Sequence, residues 1–261
     1  MLISGGGSKT LTSLYNNIGG TRKSISSAFA NISGVQKQIH PCFITTPLSD
    51  LTIGSIVYMN LNDIPNPFII IHKGTPTDYD NSCNGIWLLS NDIIDIGKWD
   101  TDNDTQYNGS MVHDDLTNIY FYYFDSTIQS IIKTVYIPYS SRRTYGNSVD
   151  YKSKSLSTKL FLLSIYEVGI ASEDVSSAEP TTILDYFNGA SASKRIAYRN
   201  GTASEWWLRT KTTPNDHIAY INTVGTDSAV KATTGLGNKG IRPALVLPST
   251  QLVDSSFNVI A

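Results

Sequence analysis

Charge is scarce in this 261-residue chain: Asp, Glu, Lys and Arg make up 16% of it, against about a quarter in an average soluble domain. The net charge of −2 and the lack of any basic run longer than Arg142-Arg143 leave no electrostatic footprint for a polyanion, which excludes nucleic acid as a partner class. Cysteine is scarcer still. Cys42 and Cys83 are the two present, too few for the disulfide framework of a small secreted domain and without the C-x-x-C spacing of a zinc site; both read as free, small apolar residues. No segment approaches the ~18 consecutive apolar residues of a membrane-spanning helix. The opening MLISGGGSKT has neither the basic nor the apolar region of a secretory leader, so the chain is expected to be made and kept in the cytosol until something releases it.

What fills the space is 40% hydrophobic residues, 15 tyrosines and many Asn, Ser and Thr. A surface of that kind favours hydrogen bonding and aromatic contact over salt bridges.

YNNIGGTRKSI at 15–25 aligns with FANISGVQKQI at 29–39, with aromatic, Asn, Ile, Gly, basic residue and final Ile recurring in place. Each unit predicts a strand (Tyr15 to Ile18, Phe29 to Ile32), a tight turn (Gly19-Gly20, Ser33-Gly34) and a returning strand. An isolated hairpin is marginal in water, so residues 1–40 are expected to form an attachment region and residues 41–261 the main domain. After His40-Pro41 the pattern changes. SIVYM (55–59), PFIIIHK (67–73), GIWLLS (85–90), VYIPY (135–139) and KLFLLSIYEV (159–168) predict strands, with Asn, Pro, Gly and Asp clusters between. Between 110 and 133 two short helices are predicted, the first capped by Ser110, the second by Asp125 or Ser126, with YFYYF helical between them and TILDYF (182–187) a helical turn. The fold class is α+β with much irregular backbone, where loops carry the function.

Catalytic and metal signatures are thin. The chain has no HExxH and no GxSxG, and His40, His72, His113 and His217 form no close pair. Each histidine is read as solvent-facing or structural, and Ser164 is not a nucleophile. Asp100, Asp102 and Asp104 match the first ligand positions of an EF-hand loop, but Thr105 stands where Gly is needed and Met111 where the bidentate Glu belongs. A solvated Asp/Asn turn is therefore the reading taken, weak calcium binding being the alternative; no cofactor is expected. Asp100, Asp102, Asp114 and Asp115 form no defensible catalytic pair. GLGNKG (235–240) has no strand before it and no helix after it, so it is a turn and not a phosphate cradle. In EWWLRT (205–210), alternation places one of Trp206 and Trp207 in the core with Leu208 opposite, and Arg209 is expected to bridge to Glu205 or Glu167.

FIIIHKGTPTDYDNSCNGIWLLSNDI, IPYS, LFLLSIYEVG, SKRIAYRNGTASEWWLRT and GIRPALVLPS, in this order, resemble the C-type-lectin-fold domain of tail and receptor-binding proteins of phages infecting Gram-positive gut bacteria, a fold distantly related to the formylglycine-generating enzymes. The resemblance spans about residues 47–253, and the front repeat resembles the "NIGGxxK" modules that precede such domains. It implies that Trp206, Trp207, Arg209 and Arg242 are structural, and that a variable, outward segment follows WWLRT. In some members that segment, here about 205–245, is diversified by a retroelement. The ligand-contacting face would then be drawn from Lys211, Thr212, Asn215, Asp216, His217, Tyr220, Asn222, Thr226 and Asp227. Calcium-bridged sugar binding is not implied, because Glu179-Pro180-Thr181 and Glu205-Trp206-Trp207 replace the lectin motifs. Formylglycine chemistry is not implied either, because Cys42 and Cys83 lie early in the chain.

Two function classes follow from the resemblance. The first is a non-enzymatic adhesion protein of the virion, attached to other tail or baseplate proteins through residues 1–40, homotrimeric, and binding a bacterial cell-surface glycan or protein without membrane insertion. The alternative is a structural tail or baseplate decoration protein with no ligand of its own.

Overall fold

The computed structural model describes residues 15–18, 21–24, 29–32, 35–38, 45–101, 106–145, 148–171, 180–212, 217–231 and 238–260. The chain divides into two compact units, residues 1–46 and 47–261. In the first, Tyr15–Ile18 pairs antiparallel with Thr21–Ser24, and Phe29–Ile32 with Val35–Gln38. The two hairpins share one register: Ile18 faces Thr21 as Ile32 faces Val35. The sequence repeat is thus a structural repeat.

The second unit is a mixture of short helices and several small sheets, an α+β domain. Its elements run β1 (Ile56–Leu61), β2 (Ile64–Gly74), β3 (Gly85–Ser90), β4 (Asp95–Gly97), α1 (Met111–Asn118), α2 (Ser126–Ile131), β5 (Val135–Tyr145), β6 (Ser148–Thr158), β7 (Ala197–Arg199), β8 (Thr202–Ser204), β9 (Trp206–Thr212), β10 (His217–Ile221), β11 (Asp227–Lys231), β12 (Lys239–Ile241), β13 (Ala244–Leu247), β14 (Leu252–Val253) and β15 (Val259–Ile260). Turn chemistry fixes two of the hairpins. Asn62 and Asp63 at φ +50° and +63° join β1 to β2, and Asn200-Gly201 at +50° and +76° joins β7 to β8, two-residue loops whose left-handed backbone matches the twist of the flanking strands.

Two sheets organise the domain. One is four-stranded and antiparallel, in the order β13-β3-β2-β1; the other is five-stranded, in the order β11-β10-β9-β12-β4, with β9 and β12 parallel at Trp206 and Gly240. The chain passes between them twice, from β3 to β4 and back from β12 to β13 through Arg242-Pro243. Close approach is needed at this crossing. A Cβ on Gly240 would lie 2.4 Å from the Ile93 side chain and 2.8 Å from Glu205 O. Trp87 of β3 meets Phe161 and Tyr79 edge-on, at ring separations of 5.3 and 5.6 Å, and Phe68 meets Phe124 at 5.8 Å. These aromatics, with Trp206, fill a continuous core.

Ser110 caps α1 as expected, its Oγ accepting from His113 N at 3.3 Å. YFYYF forms a 3-10 turn over Tyr120–Tyr123 rather than a full α-helical segment. KLFLLSIYEV is not a strand. It makes one bridge, Phe161 to Ala244, and then curls into a turn over 165–169. Its apolarity reflects burial on every side: Leu160 to Ile165 and Val168 are at most 1% exposed. Such a run has the composition of a central strand without strand pairing.

Candidate functional site

Strand β9 is buried along its whole length, residue by residue. It runs between β10 and β12 in the sheet, with the segment 162–165 also bonded to it: Arg209 N donates to Leu163 O at 2.9 Å and Ile165 N to Thr210 Oγ1 at 2.9 Å. Trp206↔Ile221 and Trp207↔Tyr220 stand in one register with β10, Lys211↔Ile218 and Thr212↔His217 in another, so Leu208, Arg209 and Thr210 bulge out of the ladder.

The bulge aims Arg209 into the interior. Nε donates to Pro138 O at 3.1 Å, Nη1 to Leu162 O at 2.8 Å and Glu167 Oε2 at 2.6 Å, and Nη2 to Tyr79 Oη at 3.0 Å and Glu167 Oε1 at 2.8 Å. All five N–H donors are satisfied. Glu167 Oε1 also accepts the Tyr79 hydroxyl, and Oε2 accepts Ser164 N at 2.6 Å. Of the two partners that the sequence allows for Arg209, the structure selects Glu167. Glu205 instead pairs with Lys239, Nζ to Oε2 at 2.6 Å.

Arg242 staples the two sheets. Its Nε donates to Ser90 O at 2.8 Å and its Nη2 to Asn91 O at 3.1 Å, while the guanidinium lies 4.9 Å from the centre of the Trp206 ring. Burial lowers its pKa to about 10, since a desolvated cation is disfavoured. Trp206 and Trp207 are both buried, their indole N–H groups donating to Arg195 O and Gly97 O at 2.9 Å each.

An aromatic ladder climbs from the interior to one face of the five-stranded sheet. Tyr107 contacts Trp99, Trp99 contacts Trp207 and Trp207 contacts Tyr220, at ring separations of 5.9, 5.9 and 6.2 Å. Lys239 Nζ tops it, 3.6 Å from the Tyr220 ring centre and 5.4 Å from that of Trp207. Tyr220, Ser228 and Glu205 are half-buried around it. The accessible part of the patch is the Tyr220 ring with its phenol, the Ser228 hydroxyl and the Glu205 carboxylate, while Lys239, 6% exposed, is interior and ties that carboxylate and the Tyr220 ring to the sheet. It has hydrogen-bonding capacity but no nucleophile–base pair.

The expected ligand face is divided by this register. Lys211 and Thr212 are 1% and 7% exposed, interior residues of β9 and not part of an outward surface. Asn215 and Asp216 lie outside the described residues. His217 and Asp227 lie on one side of the sheet and Tyr220 on the other, because side chains alternate along β10 and Asp227 pairs with Ile221. Asn222 and Thr226 spend their side chains on their own turn: Asn222 Oδ1 accepts from Val224 N and Thr226 N at 3.1 Å each, and Asn222 Nδ2 donates to Thr226 Oγ1 at 2.6 Å. Arg195 Nε holds that turn from below through Gly225 O at 2.8 Å. The segment expected to be a surface loop is therefore largely a strand, with Ile218, Ala219 and Ile221 wholly buried. Of the expected residues Tyr220 joins the patch. Lys239, Glu205 and Ser228 were not anticipated there; the available signal was that Tyr220 and Trp207 fall on one face once HIAYI is paired to WWLRT.

The remaining candidates are scattered. His72 Nδ1 lies 2.8 Å from Asp185 Oδ2. His113 is 8% exposed, with its pKa lowered by burial. His40 and Cys42 lie outside the described residues. Ser164 is buried, its Oγ accepting from Glu167 N at 3.2 Å. Asp100 is buried, while Asp102 and Asp104 lie outside the described residues. Among the described residues no group of three or more His, Cys, Asp or Glu converges as a metal site, and no helix is long and apolar enough to cross a membrane.

A family model described as "Domain of unknown function (DUF6273)" matches residues 84–249, more than half of the chain. No curated protein and no solved structure matches.

Proposed function

The chain belongs to the DUF6273 family, and we propose that it is a non-enzymatic adhesion module: a receptor-binding protein of a phage or phage-like tail, C-type-lectin-like in fold, that binds a bacterial cell-surface glycan or protein. The observation that carries the reading is the Tyr220–Ser228–Lys239–Glu205 patch. It presents an aromatic ring and paired polar groups on a base that the Trp207–Trp99–Tyr107 ladder keeps from moving. Preorganised aromatic contacts of this kind bind at low entropic cost. The lectin-like reading is supported by the parallel pairing of WWLRT with the strand that opens GIRPAL.

The repeated hairpins of the first unit serve attachment to the tail or baseplate in a homotrimer. Several copies on one particle multiply weak single contacts, so micromolar to millimolar sites are enough to hold it.

The test is adsorption of the purified protein to cell-wall fractions of Gram-positive gut bacteria. A Tyr220→Phe, Ser228→Ala double variant keeps the ring and the Lys239–Glu205 pair while removing both hydroxyls, and is expected to bind about tenfold more weakly. Absence of binding to every wall fraction, together with unaltered particle adsorption by the double variant, would overturn the proposal. Antibody labelling that finds the patch covered by other tail proteins would point to a decoration role instead.

A further inference from the structure

On a different part of the second unit, a groove of about 320 Å³ opens between β1, the start of α2 and the C-terminal hairpin β14–β15. The volume sits at the low end of the ~300–1,000 Å³ range of small-molecule sites. Tyr58, Asn60, Pro65, Asp125, Thr127 and Asn258 supply its accessible lining over a floor of buried Met59 and Ile128.

Three features set the groove apart from an ordinary surface crease. The first is Asp125. It occupies the N-cap position of α2, with φ −54° and ψ 146°, yet its side chain makes no capping hydrogen bond. A capping Asp is worth about 0.5–2 kcal/mol to a helix. Here the carboxylate instead accepts from Asn60 Nδ2 at 3.1 Å, an acid–amide hydrogen bond at the groove wall.

The second is Tyr58, 37% exposed on the edge strand β1. Its backbone is fixed by a bond from its N–H to Phe257 O at 2.9 Å, so the ring is carried by an ordered main chain. The third is the turn that fixes it. Phe257 is held at φ +63° while 45% of it stays exposed, a conformation that costs a bulky L-residue about 1–3 kcal/mol. Asp254 enforces it, its Oδ1 accepting from Ser256 N at 2.8 Å and Asn258 N at 2.9 Å, and its Oδ2 accepting from Asn258 Nδ2 at 2.9 Å. The hydrogen bonds from Asn258 hold the Asp254 carboxyl below its ordinary range. A helix cap left unmade and a strained aromatic turn, both bordering one groove, are departures of the kind that gather at functional sites.

The lining defines the ligand. It carries no Lys or Arg for a phosphate or carboxylate, and it is too polar for a lipid chain. An exposed ring beside an acid–amide pair, a hydroxyl and a second amide suits a small ring compound with one C–H face and several neighbouring hydroxyls. We propose that this groove binds a neutral pyranose unit of a glycan, with the sugar's C–H face on Tyr58 and its hydroxyls on Asp125, Asn60 and Asn258, as a site separate from the Tyr220 patch.

Amide NMR titration of the full chain with methyl glycosides of glucose, galactose, N-acetylglucosamine, rhamnose and glucuronic acid tests this. At least one neutral sugar is expected to give saturable shifts centred on Tyr58, Asn60, Thr127 and Asn258, and glucuronide the weakest, because Asp125 repels it. Tyr58→Leu and Asp125→Asn are each expected to weaken binding about tenfold, whereas Tyr58→Phe retains it. That contrast separates loss of the ring from loss of fold. Absence of saturable shifts with all five sugars, or shifts centred on Tyr220 and Ser228, overturns the groove assignment; the latter outcome leaves the adhesion reading standing.

Discussion

Arg209 and Glu167, 42 residues apart in the chain, form a two-point ion pair at 2.6 and 2.8 Å with both side chains wholly removed from solvent. The pair holds because it is not alone. Three carbonyl and hydroxyl oxygens take the remaining guanidinium protons, and Ser164 N and the Tyr79 hydroxyl take the remaining carboxylate capacity. Burying two charges is costly unless every lone pair and proton is used. This knot joins β9, the turn after Leu163 and the loop that carries Tyr79.

Removing one side of the pair leaves the other buried and uncompensated. Arg209→Met and Glu167→Gln are each expected to lower unfolding free energy by about 3–5 kcal/mol, and Tyr79→Phe by about 1–3 kcal/mol. Urea denaturation of the three variants checks the order. A loss under about 1 kcal/mol for Arg209→Met would mean that the knot contributes little.

How much of this was legible follows from which link each feature depends on. The Ser110 cap and the two hairpins of the 14-residue repeat are local, and they appear where the residues put them; the Asn62-Asp63 and Asn200-Gly201 turns carry an equally local signal that went unused. The role of Arg209 was readable as a buried bridge, but not the choice of Glu167 over Glu205. That choice depends on the bulge at Leu208–Thr210, which no local signal marks. The same offset decides that Lys211 is interior, and the pairing register decides which side of the sheet Tyr220 takes and which His217 takes; a one-residue slip would exchange them. Lys239 belongs to the patch because a long connection returns β12 beside β9, a non-local pairing that a turn-rich stretch such as GLGNKG conceals.

Gly225 sits at φ +81° with Ala192 O only 2.0 Å from where a Cβ would stand. Gly189, at φ +64°, has nothing within 4 Å of the same position. Gly189→Ala is therefore expected to cost only the backbone term, about 1–2 kcal/mol. Gly225→Ala must also displace the Ala192 backbone and the turn that Arg195 holds, and about 3–4 kcal/mol is expected. Thermal melts of the two variants side by side measure the difference, and equal losses would remove close packing as the reason for this glycine.

His113 gives the fold a dependence on acid. Its ring is 8% exposed, its Nε2 lies 3.4 Å from Thr158 Oγ1, and burial holds its pKa below the ordinary 6.5 despite the opposing pull of Asp114. As pH falls below 6.5 the unfolded chain takes up a proton that the folded chain resists, so stability is lost on acidification and is complete above 6.5. Urea midpoints measured between pH 7.5 and 5.5 should fall more steeply for the natural protein than for His113→Gln. Parallel slopes would show that the ring takes its proton as readily folded as unfolded.

Cys83 is buried and free, its Sγ 3.5 Å from Tyr136 O, and burial pushes its thiol up to about 11. The thiolate is the reactive form, so at pH 8 only about one molecule in a thousand is poised to react even before access is considered. In a Cys42→Ser protein, which isolates this thiol, a disulfide reagent such as dithiobis-nitrobenzoate is expected to label Cys83 no faster than the fold opens, and to label it at once in strong urea. Cys83 then reports on opening of the core next to Trp87, whose indole N–H donates to Cys83 O at 2.9 Å. Labelling in the native state at the rate of a free thiol would show that the segment leading into β3 opens independently of the rest of the core.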